Sequence, residues 1–321
     1  MKVHGLLLLD KPLGLSSNVA LQKAKRLLGA DKAGHGGTLD PMASGVLPLM
    51  FGEACKLAGA ALTHDKAYEA EVRLGISTTT DDVEGEVLAQ SDVRPTREQL
   101  LAALPAFVGL ISQVPPVYSA LKVGGKAMYR HAREGKPIQA EPRQVRVDAI
   151  ELLDFDGERA RLHIDCGSGT YIRSIARDLG AALGCGAHLS GLRRTRVGQY
   201  RVQDAVPLDA LLEGGAEAAA QHLHGLLALV AGWPQVVFDA AQHARFVQGQ
   251  PVRLTPAQAG ALVQQPVPAD ASVAAVSGAA AIPAGEHIAV IFDGRLAGLA
   301  RQDRQPDGRV TLAPVRVILD N

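Results

Sequence analysis

Gly34-His35-Gly36-Gly37-Thr38-Leu39-Asp40-Pro41-Met42-Ala43-Ser44-Gly45 places one carboxylate and one imidazole among four glycines and a proline. Glycine reaches backbone angles that other residues avoid and lets a second molecule approach the main chain. Pro41 pushes Asp40 out of the helical region into an extended or turn geometry. The stretch therefore predicts a tight loop that presents an aspartate. Asp-Pro is also an ordinary turn pair, so the meaning of the loop depends on what surrounds it.

Upstream stands Leu6-Leu7-Leu8-Leu9-Asp10-Lys11-Pro12, followed by Gly14-Leu15-Ser16-Ser17-Asn18. Downstream come Asp65-Lys66-Ala67-Tyr68, Gly169-Thr170-Tyr171-Ile172-Arg173, His188-Leu189 and Leu192-Arg193-Arg194-Thr195. In this order and spacing, and over essentially the whole chain, they resemble the TruB family of bacterial tRNA pseudouridine synthases, which modify the T-loop uridine at position 55. The Asp40 loop and the Tyr171-Ile172-Arg173 segment are the most specific parts. Gly36 departs from the pattern, which has threonine there in many members.

The resemblance implies an α+β fold: a mixed, mainly antiparallel sheet in a catalytic domain over 1–233, then a small β-rich PUA-like RNA-binding barrel over 234–321. An RNA-gripping insertion is expected at about 110–145. Asp40 matches the family's catalytic aspartate, acting as nucleophile or as base, and Arg173 matches the arginine that pairs with it. Tyr68 matches the tyrosine that stacks on the target base, with Tyr171 and Leu192 lining the same pocket. His35 is expected to fill the gap left by the extruded base, and Lys11 to neutralise charge near the loop. The reaction breaks C1′–N1, turns the uracil and joins C5 to C1′, which a carboxylate can serve without metal or cofactor. The expected partner is tRNA through its T-arm stem-loop. No membrane and no obligatory protein partner are expected, and the chain is expected to act as a cytoplasmic monomer.

Charge sets a condition on this expectation. The chain has 33 Lys plus Arg against 33 Asp plus Glu, whereas nucleic-acid binders are often basic overall. Phosphate binding then requires segregated charge. Lys122, Lys126, Arg130, Arg133, Lys136, Arg143 and Arg146 form one basic run, Lys23 to Lys32 a second, and Arg193, Arg194 and Arg196 a third. Lys122, Lys126, Arg130, Arg133, Arg193 and Arg194 are the expected backbone contacts. Acid concentrates elsewhere, as at Asp81, Asp82, Glu84 and Glu86. Apolar residues make up 47%, enough for a sizeable core. The three cysteines lack the spacing of a zinc site or a disulfide framework.

Hydrophobic patterning predicts strands at 3–9, 66–74, 145–155 and 161–166, and helices at 18–28, 96–107, 126–134, 170–183 and 213–232. In the tail it predicts strands at 236–238, 289–292 and 310–319, a helix at 240–247 and a hairpin turn at Asp293-Gly294. The stretch 256–283, rich in Ala, Val, Gln and Pro, reads as an insertion.

Three other classes compete. A phosphate-binding enzyme would explain the glycines, but no Gly-Lys-Ser/Thr ending follows them. A metal-dependent hydrolase would use His222 and His224, but no HExxH or paired carboxylates accompany them. A non-catalytic RNA binder or chaperone accounts for the basic runs, but not for Asp40, Tyr68 and Arg173 together.

Overall fold

A computed structural model describes residues 2–58, 65–119, 121–263, 287–306 and 308–319. Its strands in chain order begin with β1 (Gly5–Lys11), β2 (Ala33–His35), β3 (Ala43–Phe51), β4 (Lys66–Leu74), β5 (Ile76–Thr78), β6 (Val87–Gln90) and β7 (Gly109–Gln113). They continue with β8 (Lys122–Val123), β9 (Lys126–Ala127), β10 (Arg143–Phe155), β11 (Arg159–Cys166), β12 (Ala187–Val197), β13 (Tyr200–Arg201) and β14 (Val206–Pro207). The tail holds β15 (Gln235–Val237), β16 (Val252–Arg253), β17 (His287–Phe292), β18 (Arg295–Arg304) and β19 (Val310–Val317).

The main sheet runs β14-β1-β3-β12-β4-β11-β10-β7, with β2 on β3 and β13 on β12. Its pairs are antiparallel except β1–β14 and β3–β12. This is the mixed, mainly antiparallel sheet that the family resemblance implies. The leucine run of β1 explains itself in this frame. Leu7 and Leu9 face a core shared with the helices Ser17–Leu27 and Ile172–Ala182, whereas Leu6 and Leu8 face a second core behind the sheet. A strand buried on both faces loses polar alternation.

The second core joins the two sheets of the molecule. Leu6, Leu8, Val46 and Met50 of the main sheet meet Trp233, Ala289, Ile291, Leu296 and Leu299. The C-terminal sheet runs β15-β17-β18-β19-β16 and curls over its own core of Val236, Phe238, Phe246, Val290 and Leu312. Asp293-Gly294 makes the β17–β18 turn, both residues having positive φ.

Some local expectations shift. The helix expected at 213–232 starts earlier and ends earlier, at Leu208–Gln221, with a non-helical kink at Gly215, and a 3-10 turn follows at Leu226–Val230. The helix expected at 96–107 stops at Ala103 and tightens to a 3-10 turn over Leu104–Phe107, because Pro105 cannot donate to a helical ladder. Of the stretch 256–283, Pro256–Val263 is helical and the rest lies outside the described residues.

Candidate active site

The Asp40 loop is fixed from both ends. The Ser17 hydroxyl, buried at the start of the first helix, donates to Leu39 O at 2.9 Å and accepts from Leu39 N at 2.7 Å. Gly36 N donates to Pro48 O, Gly14 N to Pro41 O, and Ala43 N to Asp40 O, closing a turn around the aspartate. Gly37 has φ +95°, and its oxygen accepts from the Arg194 guanidinium.

Arg173 enters from the first turn of the helix Ile172–Ala182. Its Nη2 lies 3.0 Å from Asp40 Oδ2, and its Nη1 lies 3.3 Å from Asp82 Oδ2. It also donates to the carbonyls of Thr80 and Tyr118. The guanidinium is 6% exposed, Asp82 3%, and Asp40 35%. Only Asp40 of this trio keeps broad access to the cavity. Removal from bulk water raises the Asp40 pKa, Arg173 opposes that shift, Asp82 adds to it and Lys11 opposes it. The site thus holds a carboxylate that protonates more readily than an ordinary aspartate, beside a fixed cation.

The cavity above Asp40 has a volume of about 330 Å³. Tyr68, Tyr171, Leu192 and Ile172 supply apolar wall, while Asp40, Arg173, Lys66 and Arg143 supply charge. Tyr68 projects from the centre of β4 and is 7% exposed, and burial pushes its phenol up to about 12. It therefore stays neutral at pH 7. Tyr171 is held through its backbone: Gln113 accepts from Tyr171 N at 2.8 Å and donates to Tyr171 O at 3.1 Å.

Asp82 is the main residue beside Asp40 and Arg173 that the sequence reading misplaced. It belongs to the acidic loop assigned to a distant surface, yet the β5–β6 hairpin folds that loop onto Arg173. Thr80 and the Glu84 amide both donate to its carboxylate. The available signal was the turn-forming, acid-rich run Thr78–Gly85. Gln113, at the end of the edge strand β7, and Lys66, on the central strand β4, were missed as well, both being buried polar residues.

Arg194 requires a correction. Expected on phosphate, it is fully buried under the cavity, with Nε donating to Val46 O at 2.9 Å and Nη2 to Gly37 O at 3.2 Å. Successive residues of a strand face opposite sides, so Arg193 emerges on the other face. There it makes a two-point contact with Asp10 at 2.7 and 3.1 Å. Arg196 likewise pairs with Asp165 at 2.7 Å. The third basic run is therefore internal or neutralised and forms no open cationic patch.

Lys11 is also buried, its ammonium donating to the carbonyls of Pro12 and Leu15, and burial lowers its pKa to about 8. Its charge acts on Asp40 through the protein interior. His35 sits half-buried on β2 with its Nδ1 buried and unpartnered, and burial together with Arg194 lowers its pKa. It does not line the Asp40 cavity. The remaining basic residues follow Tyr118, whose carbonyl holds Arg173. Lys122 is exposed on β8, Lys126 on β9 pairs with Glu134, Arg130 lies exposed over the Tyr129 ring, and Arg133 ends the helix Met128–Arg133.

A fixed aspartate–arginine pair at the floor of an aromatic cavity, on this sheet, defines a class. Over 98% of the chain the fold matches a chain in the crystal structure of a Cbf5–Nop10–Gar1 complex, with TM-score 0.68, 25% identity and 85% of that chain covered. A chain of an H/ACA RNP bound to a substrate RNA containing 2′-deoxyuridine shares the fold at TM-score 0.68 and 23% identity, 85% of it covered. The class, by the description of the family models that match the chain, is the pseudouridine synthases.

Within it, the model of the TruB family pseudouridylate synthase N-terminal domain matches residues 25–172, and that of the tRNA pseudouridylate synthase B C-terminal domain matches 173–229. The chain belongs to the TruB family. The tRNA pseudouridine synthase B of Xanthomonas axonopodis pv. citri is 53% identical over 255 residues, 78% of this chain and 82% of the relative. That of Cupriavidus metallidurans is 53% identical over 250 residues, 77% and 80% of the two chains.

Proposed function

We propose that the protein isomerises the T-loop uridine of tRNA, position 55, to pseudouridine, with Asp40 as the nucleophile or base. The observation that carries this is the Asp40–Arg173 pair at the floor of a cavity of nucleoside size. Uridine reaches the cavity only after leaving the RNA stack, and Tyr68 and Tyr171 offer the faces on which an extruded pyrimidine packs. Asp40 then acts as base at C2′ or as nucleophile at C1′ or C6, Arg173 holding the carboxylate ionised as water is displaced. Cleavage of C1′–N1, rotation of the uracil and closure of C5 onto C1′ release the C5 proton, and N1 takes up a proton from solvent. Lys122, Lys126, Arg130 and Arg133 contact the RNA backbone beside the cavity. The catalytic unit spans 1–233 and the PUA-like unit 234–321, and the protein works as a cytoplasmic monomer. Among the described residues no helix is long and apolar enough to cross a membrane.

The test is tritium release from a T-arm stem-loop carrying uridine labelled at C5. Release by the parent protein and its loss in Asp40→Asn are expected. No release from the parent, or release at the parent rate by Asp40→Asn, overturns the reading.

A further inference from the structure

We propose that Arg143 binds the phosphodiester of the target nucleotide, moving from the ring of Tyr171 to the RNA backbone as the base is seated. Arg143 opens β10 at the wall of the Asp40 cavity. Its guanidinium carbon lies 4.9 Å from the centre of the Tyr171 ring, and Nη2 donates to the carbonyl of Gly169. Its Nε is buried with no acceptor.

The other cations of the cavity are committed. Arg173 bridges two carboxylates, Arg194 is closed inside the sheet, and Lys66 is buried on β4. No carboxylate among the described residues pairs with Arg143, although it is half-buried and permanently charged. A cation held in this way lacks a counter-charge that a ligand can bring.

The backbone beside it turns its carbonyl to the guanidinium. Gly169 has φ +89°, and its oxygen accepts from Arg143 Nη2. In the β7–β10 register Arg143 stands opposite Gln113, the residue that clamps the Tyr171 backbone. Tyr171 is thus fixed, whereas Arg143 rests on one carbonyl and one ring face. A base in the cavity brings its own flanking phosphates to the rim, because the sugar links them covalently. A planar fork of N–H donors suits a phosphate better than an ammonium does.

This inference rests on the reading that the target uridine occupies the Asp40 cavity. The experiment is a double-mutant cycle on the T-arm stem-loop. Each phosphate flanking the target uridine is replaced, one at a time, by a neutral methylphosphonate. Binding is measured for the parent protein, Arg143→Met and Arg143→Lys. Arg143→Met is expected to raise Kd about tenfold, the scale of one charge-assisted hydrogen bond. One of the two methylphosphonates should cost the parent a similar factor and cost Arg143→Met almost nothing. Arg143→Lys keeps charge without the fork and should show reduced coupling, which also serves if Arg143→Met does not fold. Losses that multiply at both phosphates overturn the proposal. So does a fall in saturated single-turnover rate with Kd unchanged, which would mean that Arg143 only positions Tyr171. If the parent protein binds the stem-loop but forms no pseudouridine at its uridine, the underlying reading fails instead.

Discussion

Arg173 Nη2 stands 3.0 Å from Asp40 Oδ2, and the two side chains come from segments more than 130 residues apart in the chain. The arginine is packed in place by Asp82 and two carbonyls, so the aspartate meets a cation that does not need to be gathered at the moment of reaction. Such preorganised charge is usually the largest element of enzymatic rate enhancement.

If Asp40 acts as proposed, its raised pKa should set the acid side of the pH–rate profile. The carboxylate must be ionised to act, so activity falls as pH drops through a value above that of an ordinary aspartate. Asp82→Asn removes a negative charge that contributes to the shift. Its acid limb should therefore move to lower pH, which single-turnover rates across pH 4–7 would reveal. An unmoved limb means that another group controls it.

Asp40→Asn should abolish turnover while leaving the protein at least as stable as the parent at pH 7. A carboxylate whose folded pKa lies above its unfolded value costs stability at every pH above that folded pKa, and the cost vanishes below the unfolded value. The stability gain of Asp40→Asn should accordingly shrink as pH falls toward 3.8, the ordinary value of the group. Urea unfolding at a series of pH values measures this.

Lys66 gives the mirror image. Burial lowers its pKa from 10.5 to about 8. Between those values the unfolded chain binds the extra proton, so this group makes stability rise with pH by up to about 1.4 kcal/mol per pH unit. Lys11 has the same shift and direction. Lys66→Met should remove part of that rise, seen as a flatter stability profile between pH 8 and 10.5.

RNA binding should separate the arginines by their surroundings. Arg130→Ala is expected to reduce the log–log salt slope of T-arm binding by about one contact, roughly 0.7–0.9. Arg193→Ala, which leaves Asp10 without its partner, should barely change the slope. Equal slope changes would place Arg193 on the RNA after all.

Gly45→Ala should destabilise by about 2–5 kcal/mol. Gly45 has φ +109°, and a Cβ there would lie 2.2 Å from Arg194 O on the neighbouring parallel strand. Thermal melting tests this, and a change in Tm of only a degree or two would show that β3 and β12 can separate freely.

What the sequence displayed was the part written in short, contiguous signals. The Asp40 loop, Tyr68 in an alternating strand and Arg173 at a helix start all have local motifs. The mainly antiparallel sheet was implied by the family resemblance, and its strands β4, β10 and β11 were legible from alternation. The eleven-residue strand β12 was not, because His188-Leu189-Ser190-Gly191-Leu192-Arg193-Arg194 carries a register shift between Leu189 and Gly191 and leaves Arg193 partly exposed while burying Arg194. Asp82 and Arg194 acquire their roles from partners 91 and 148 residues away, through contacts that no window of sequence contains. The same long-range pairing hid the neutralisation of Arg193 by Asp10.

The core behind the main sheet ties the tail to the catalytic side. Because Leu6, Leu8 and Met50 share it with Ile291, Leu296 and Leu299, the strands that carry the Asp40 loop cannot shed the C-terminal sheet without exposing their own leucines to water. The two sheets should melt in a single calorimetric transition. A chain cut after Trp233 would be a sticky, aggregation-prone fragment rather than a smaller enzyme.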